Sequence, residues 1–139
     1  MDKNKYNLLI IAILCLVAGC AGTISSVNKN QSLFYEMSEE QADKLVASAM
    51  ASEFAGSISR VEFPNKGYQA TIRFAIDTHT IVAYFIPASG GGKKGFVFEV
   101  NHSGTMPISG SSRARSTYNK IIDRAALQFK PGTVTGYGN

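Results

Sequence analysis

Residues 68–77, YQATIRFAID, alternate apolar and polar side chains, the pattern of a strand with one buried face. Tyr68, Ala70, Ile72, Phe74 and Ile76 fall on one side; Gln69, Thr71, Arg73 and Asp77 fall on the other. A slip of one residue would exchange the two faces, so this stretch fixes the register of the sheet around it. Its neighbours have the same character. Residues 58–63 form a short strand, joined to it by Pro64-Asn65-Lys66-Gly67, a turn with Pro and Gly in suitable places. Thr78-His79 is a tight connection. Residues 80–86 are almost wholly apolar, as expected of a central strand covered on much of both faces, and Pro87 ends that strand. A flexible loop over 89–95, SGGGKKG, leads to a fourth strand over 96–101, where Phe96, Phe98 and Val100 alternate.

Helical periodicity brackets these strands. Ser38 and Gln41 form a capping box, and Glu39, Glu40 and Asp43 lie in the first turns, where the helix dipole favours acids. Ala42, Leu45, Val46, Ala49, Met50 and Phe54 recur at helical spacing, with Gly56 placed to end the element. The expectation is a helix over 39–55. A Gly/Ser-rich connection over 102–112 leads to a second helix, whose stripe is Ala114, Tyr118, Ile121, Ile122, Ala125 and Phe129 and whose stop is Pro131-Gly132. The order is α-β-β-β-β-α. Two amphipathic helices must bury their stripes, and one sheet face is the natural place. The expected fold is α+β: a two-layer sandwich, with an antiparallel four-stranded meander and N- and C-terminal helices.

The N-terminus belongs to no such layer. Lys3 and Lys5 precede an unbroken apolar run over 8–18, followed by Gly19-Cys20-Ala21-Gly22. This is the three-part layout of a secretory signal peptide. The run is about eleven residues, and a helix across a bilayer needs roughly 20. Val17-Ala18-Gly19-Cys20 resembles the lipobox of bacterial lipoproteins. The resemblance implies diacylglyceryl transfer to the Cys20 thiol, cleavage before Cys20 and acylation of the freed amine. It also implies a membrane-anchored envelope protein. Ala21 rather than Asp after the cysteine implies the periplasmic face of an outer membrane, or the outer face of the plasma membrane in an organism with one membrane. Cys15 leaves with the leader, so the mature chain has no disulfide and one cysteine, to which lipidation gives a purpose. The resemblance covers the leader alone and names no family for the rest.

The expected organisation is a signal peptide over 1–19, lipidated Cys20 and a polar tether over 20–36, an α+β domain over 37–131 and a short polar tail over 132–139. Extended, the tether would span about 50 Å; within it Leu33-Phe34-Tyr35 is apolar enough to dock. Hydrophobic residues make up 45% of the 139 and charged residues 17%, too apolar a mixture for whole-chain disorder. Without residues 1–19 the chain keeps 12 basic and 9 acidic residues, a net charge of +3. That permits contact with anionic surfaces and falls short of a nucleic-acid-binding signature.

Three sets of side chains have chemistry to offer. The meander places Asp77, His79 and His102 at one end of the sheet, and two imidazoles with a carboxylate are a transition-metal set; polar caps on strand ends would look the same. Lys66, Lys93 and Lys94 gather at the other end, where they can meet an anionic polymer or lipid head groups, or simply solvent. GGGKKG lacks P-loop spacing. Arg113 and Arg115 sit at the expected start of the second helix, whose free N–H groups suit a phosphate or carboxylate. Nucleophilic catalysis finds little: G-x-S-x-G is absent, and Ser103 beside His102 is adjacency, not triad geometry. The expectation is therefore a non-catalytic module, with no cofactor beyond the lipid, that binds an envelope protein or peptidoglycan and no nucleic acid. A metal or small-ligand module using Asp77, His79 and His102 is the alternative, and a hydrolase is a further one. Cys20→Ser removes the acyl acceptor, so it should leave unprocessed precursor that takes up no radioactive palmitate; labelling of that variant would contradict the lipobox assignment.

Overall fold

The computed structural model describes residues 23–27, 31–74, 77–104 and 107–138, with residues 23–27, 74, 77 and 107–109 described by their backbone alone. In chain order the elements are β1 (Thr23–Val27), β2 (Leu33–Tyr35), α1 (Glu39–Glu53), β3 (Ser59–Val61), β4 (Gly67–Phe74), β5 (Asp77–Gly90), β6 (Lys93–Gly104), α2 (Pro107–Gln128), β7 (Pro131–Thr133) and β8 (Gly136–Tyr137). The fold is α+β, with two helices and an antiparallel sheet among the described residues.

The longest strands owe their length to two glycines. Gly91 and Gly92 have φ of 58° and 77°, and Gly90 pairs directly with Lys93. A two-residue hairpin with both central residues at positive φ matches strand twist, and glycine takes that conformation without a steric penalty. The ladder then runs unbroken to His79↔Gly104. The stretch 89–95, expected to be a flexible loop, is thus the apex of a hairpin; three glycines in a row read as slack only when the turn geometry is unseen. Strands β3 to β6 pair in chain order, but they belong to a larger sheet of eight strands among the described residues, not a sheet of four.

The additional strands come from the segments read as tether and tail. β1 pairs with β6 from Thr23↔Gly104 to Val27↔Val100. β2 pairs with β6 at Tyr35↔Phe96 and with β7 from Leu33↔Thr133 to Tyr35↔Pro131. β8 pairs with β5 at Ala88↔Tyr137 and Ser89↔Gly136. The cause is the hairpin itself. β4 starts opposite Tyr84, so the hairpin's outer half would expose edge N–H and C=O groups, which need partners. Chain ends supply them: Thr135 N–H donates to the Ser89 carbonyl and Gly138 N–H to Pro87, both at 2.9 Å. Strands of two to five residues are too short to show a period in a sequence; Leu33-Phe34-Tyr35, expected to dock, is the one apolar stretch among them, and Phe34 and Tyr35 are buried. Residues 20–22, 28–30 and 139 of those two segments lie outside the described residues.

Both helices pack on the odd-numbered side of β5. Val46 and Met50 of α1, Ile81 and Phe85 of β5, Phe98 of β6 and Ile121 of α2 share one buried core. Tyr68, Ala70 and Ile72 face the same core, as the alternation predicts; the Phe74 side chain and residues 75–76 lie outside the described set. The capping box is present: Ser38 N–H donates to Gln41 Oε1 at 2.8 Å, and Gln41 N–H donates to Ser38 Oγ at 3.2 Å. α1 ends in a Schellman turn, with Gly56 N–H donating to Ala51 O at 2.9 Å. Its left-handed backbone takes in Ala55 as well as Gly56, at φ 51° and 79°. Arg60 ties β3 to α1, bonding Asp43 and Glu62 while its guanidinium lies 5.7 Å from the Tyr68 ring centre.

A second, smaller core sits on the opposite face under the hairpin's outer half. Phe34 is fully buried there with Ala88 and Val97. The ring occupies a cradle of glycines: a Cβ on Gly132 would stand 2.6 Å from it and one on Gly95 2.8 Å. The pairings β5–β6–β2–β7 return to β5 through β8, so Phe34 is enclosed by strands from both chain ends. Phe34→Ala should cost about 3–5 kcal/mol of unfolding free energy, as for other buried phenylalanines. Gly95→Ala should cost a comparable amount, because its Cβ would meet the Tyr35 carbonyl oxygen at 1.9 Å. Urea unfolding checks both, and a loss below about 1 kcal/mol for Phe34→Ala would show that this second core carries no weight.

Candidate functional site

The β5–β6 register brings the two histidines together. His79 stands opposite Gly104 and His102 opposite Ile81, so the two side chains are diagonal neighbours on the helix-facing side. Their rings lie 6.1 Å apart, centre to centre, inclined by 30°. Both are buried, with 5% and 1% of their surface exposed. Glycines make the room: Gly110 of α2 lies so close that a Cβ there would be 2.1 Å from His102 Nε2, and a Cβ on Gly104 would be 2.6 Å from His79 Nδ1. His79 Nδ1 is buried, with no hydrogen-bond partner among the described residues. Burial, and secondly the neighbouring His79 charge, hold the His102 imidazole below the ordinary histidine pKa of 6.5. Asp77 pairs with Phe74 at the end of β4 and β5, and its carboxylate lies outside the described side chains. Among the described residues no three His, Cys, Asp or Glu side chains are grouped as metal ligands. Ser103 alternates to the opposite face from His102, opposite Thr80.

The lysine cluster is divided. Lys66 is bonded to Glu39, and Lys93 Nζ reaches Glu36 Oε1 at 2.5 Å. Exposed pairs of this kind contribute about 0–1 kcal/mol each, but they spend the charge that was expected to meet an anionic partner. Lys94 is exposed opposite Ser89. Phe85 N–H donates to Lys66 O at 3.0 Å, so the hairpin tip lies about 15 Å farther along the ladder at strand rise. Glu36 and Glu39 are distant in sequence from their lysines, and no local spacing links them.

α2 begins at Pro107, not at Ser112. Proline suits the first helical position, and Gly110 reads as loop in the sequence but serves close packing against His102. Arg113 and Arg115 therefore lie beyond the first four residues, where a helix has its free N–H groups. Both are exposed, and the Arg113 carbonyl accepts from Thr117 Oγ1 at 2.9 Å. The expected arginine-flanked helix start does not form with these two residues.

Arg113 instead lines an open groove of about 350 Å³ with Arg73, Phe54, Ser57, Thr71 and Ile72. Glu53 also borders it, bonded to Lys120. A second groove of about 350 Å³ runs between the helices past Lys44, Ser48 and Arg124. There Arg124 bonds Ser48 and Ser52, and Lys44 bonds Glu40 at 2.7 Å. Arg73 was legible only as a polar position on a strand; nothing in its spacing marks a groove.

No family model, curated protein or solved structure matches the chain.

The histidine pair makes a pH prediction. A lowered pKa in the folded state means the unfolded chain binds the proton first. Stability should therefore fall as pH drops below 6.5 toward the folded-state value, by at most about 1.4 kcal/mol per pH unit for this group, and level off below it. Urea midpoints at pH 7.5 and 5.0 measure the loss. It should be smaller in His102→Asn; an unchanged pH dependence would show that His102 does not titrate on unfolding.

Proposed function

We propose that the chain is a lipid-anchored protein of the bacterial cell envelope whose α+β domain is non-catalytic and binds another envelope protein or the cell wall. Val17-Ala18-Gly19-Cys20, directly after a basic and apolar leader, carries this reading. In the same reading the domain is a two-layer unit built on the β3–β6 meander, supported by the shared core of both helices with one side of β5. The two histidine rings are buried, so in this reading the partner meets the surface of the domain outside them. The metal-binding alternative keeps one supporting observation, the buried His79 Nδ1 that has no hydrogen-bond partner among the described residues.

Strand β1 sharpens the anchor. Only two residues separate Cys20 from Thr23, so an acylated Cys20 can stand no more than about 11 Å from the start of β1. Thr23 pairs with Gly104, beside His79. The histidine end of the sheet then faces the membrane and the Gly91-Gly92 apex points away. Mass spectrometry of the full chain purified from bacterial membranes should find an acylated N-terminal Cys20. Fluorophores at Thr78→Cys and Lys94→Cys should be quenched unequally by nitroxide lipids, Thr78 more strongly. An unmodified chain starting elsewhere would overturn the anchor. Equal quenching would overturn the orientation.

A further inference from the structure

The groove beside β4 has an open strand edge as its floor. β3 pairs with Gly67, Tyr68 and Gln69 and goes no farther. Beyond Gln69, among the described residues, no strand lies on that side of β4. The bond from Phe85 N–H to Lys66 O sets the parity: even-numbered β4 residues address β5, and odd-numbered ones address β3. Thr71 and Arg73 therefore turn backbone N–H and C=O groups toward the open side. The groove is lined by the four consecutive residues 70–73. One sheet face could present only alternate residues, so the groove follows the edge.

Its charge is one-sided. Arg73 and Arg113 both border it, and neither has a carboxylate partner among the described residues. The one acid in the lining, Glu53, is neutralised by Lys120. Phe54 and Ile72 add apolar surface. An exposed edge that is short and flanked by cations is protected against self-pairing, yet it remains a template for a strand of opposite charge.

We propose that this edge binds an extended, acidic segment of another protein by strand addition. Thr71 and Arg73 would supply the main-chain ladder, Phe54 and Ile72 would receive an apolar side chain, Arg73 would hold carboxylates on the face away from the helices, and Arg113 would add its charge from the helix side of the groove. The proposal deepens the partner-binding reading above and rests on it.

Fluorescence anisotropy with the wild-type chain tests it. The probe is a seven-residue peptide of alternating valine and glutamate, acetylated and amidated so that it has no terminal charge. It should bind saturably. The glutamine version should bind at least tenfold more weakly, and so should the glutamate peptide to R73Q/R113Q, two exposed substitutions that leave the core untouched. A peptide N-methylated at every residue keeps its charges and has no N–H to give the ladder, so it should not bind. Failure of the wild type to bind, indifference to N-methylation, or undiminished binding by R73Q/R113Q would each overturn the proposal. So would retention of the wild type, but not the double variant, on phosphatidylglycerol vesicles when the peptide does not compete, since the arginines would then serve lipid. If R73Q/R113Q still captures the same envelope partner as the wild type, the partner-binding reading stands and the site is wrong.

Discussion

The β5–β6 hairpin is the element on which the other parts depend, and its existence depends on two residues at positive φ. With Gly91 and Gly92 in that conformation, the two strands stay paired from the apex to His79 and Gly104. Any side chain with a Cβ would strain one or both positions. Every other strand except β3 and β7 is hydrogen-bonded to β5 or β6, so the register set at the apex passes to nearly all of the sheet.

The hairpin also creates the problem that the chain ends solve. It runs past the start of β4, and its outer half would be a two-stranded ribbon, marginal in water. β2 covers the β6 edge and β8 the β5 edge, β7 extends the sheet beyond β2, and Phe34 fills the space beneath. Gly90, Gly95 and Gly132 are part of the same solution, because each lies where a Cβ would strike a backbone oxygen or the Phe34 ring. At the opposite end Gly110 and Gly104 do the same for the two histidines. Glycine in this molecule is used more for close approach than for slack.

That use explains where the sequence could and could not be read. The α1 capping box and the alternation of Tyr68, Ala70 and Ile72 are local patterns, and both were legible. The hairpin apex, the early start of α2 and the strands at both ends were not. Each rests on a glycine read as loop, or on a segment too short to have a period; of the terminal strands only the docking of Leu33-Phe34-Tyr35 could be read from its apolar side chains. The meeting of His79 and His102 followed from topology, since any antiparallel order of those strands puts them at one end. Their burial did not, because it needs Gly110, eight residues beyond His102, to bring α2 down onto the ring. Arg73 and Arg113 face one groove only because β3 stops at its pairing with Gln69, a tertiary fact with no local trace.

The claim at the centre of this account is that the segments before the first helix (β1 and β2) and after the second (β7 and β8) are part of the sheet built on the hairpin. Native-state hydrogen exchange tests it directly. The amides of Val134 and Thr135 donate to the Ser32 and Ser89 carbonyls. If the ends are integral, both should exchange only through the same global opening as the Phe85 amide in β5, with matching opening free energies at every denaturant concentration. Exchange of Val134 and Thr135 at the rate of an open peptide, while Phe85 stays protected, would show that the hairpin stands without them and would contradict the account.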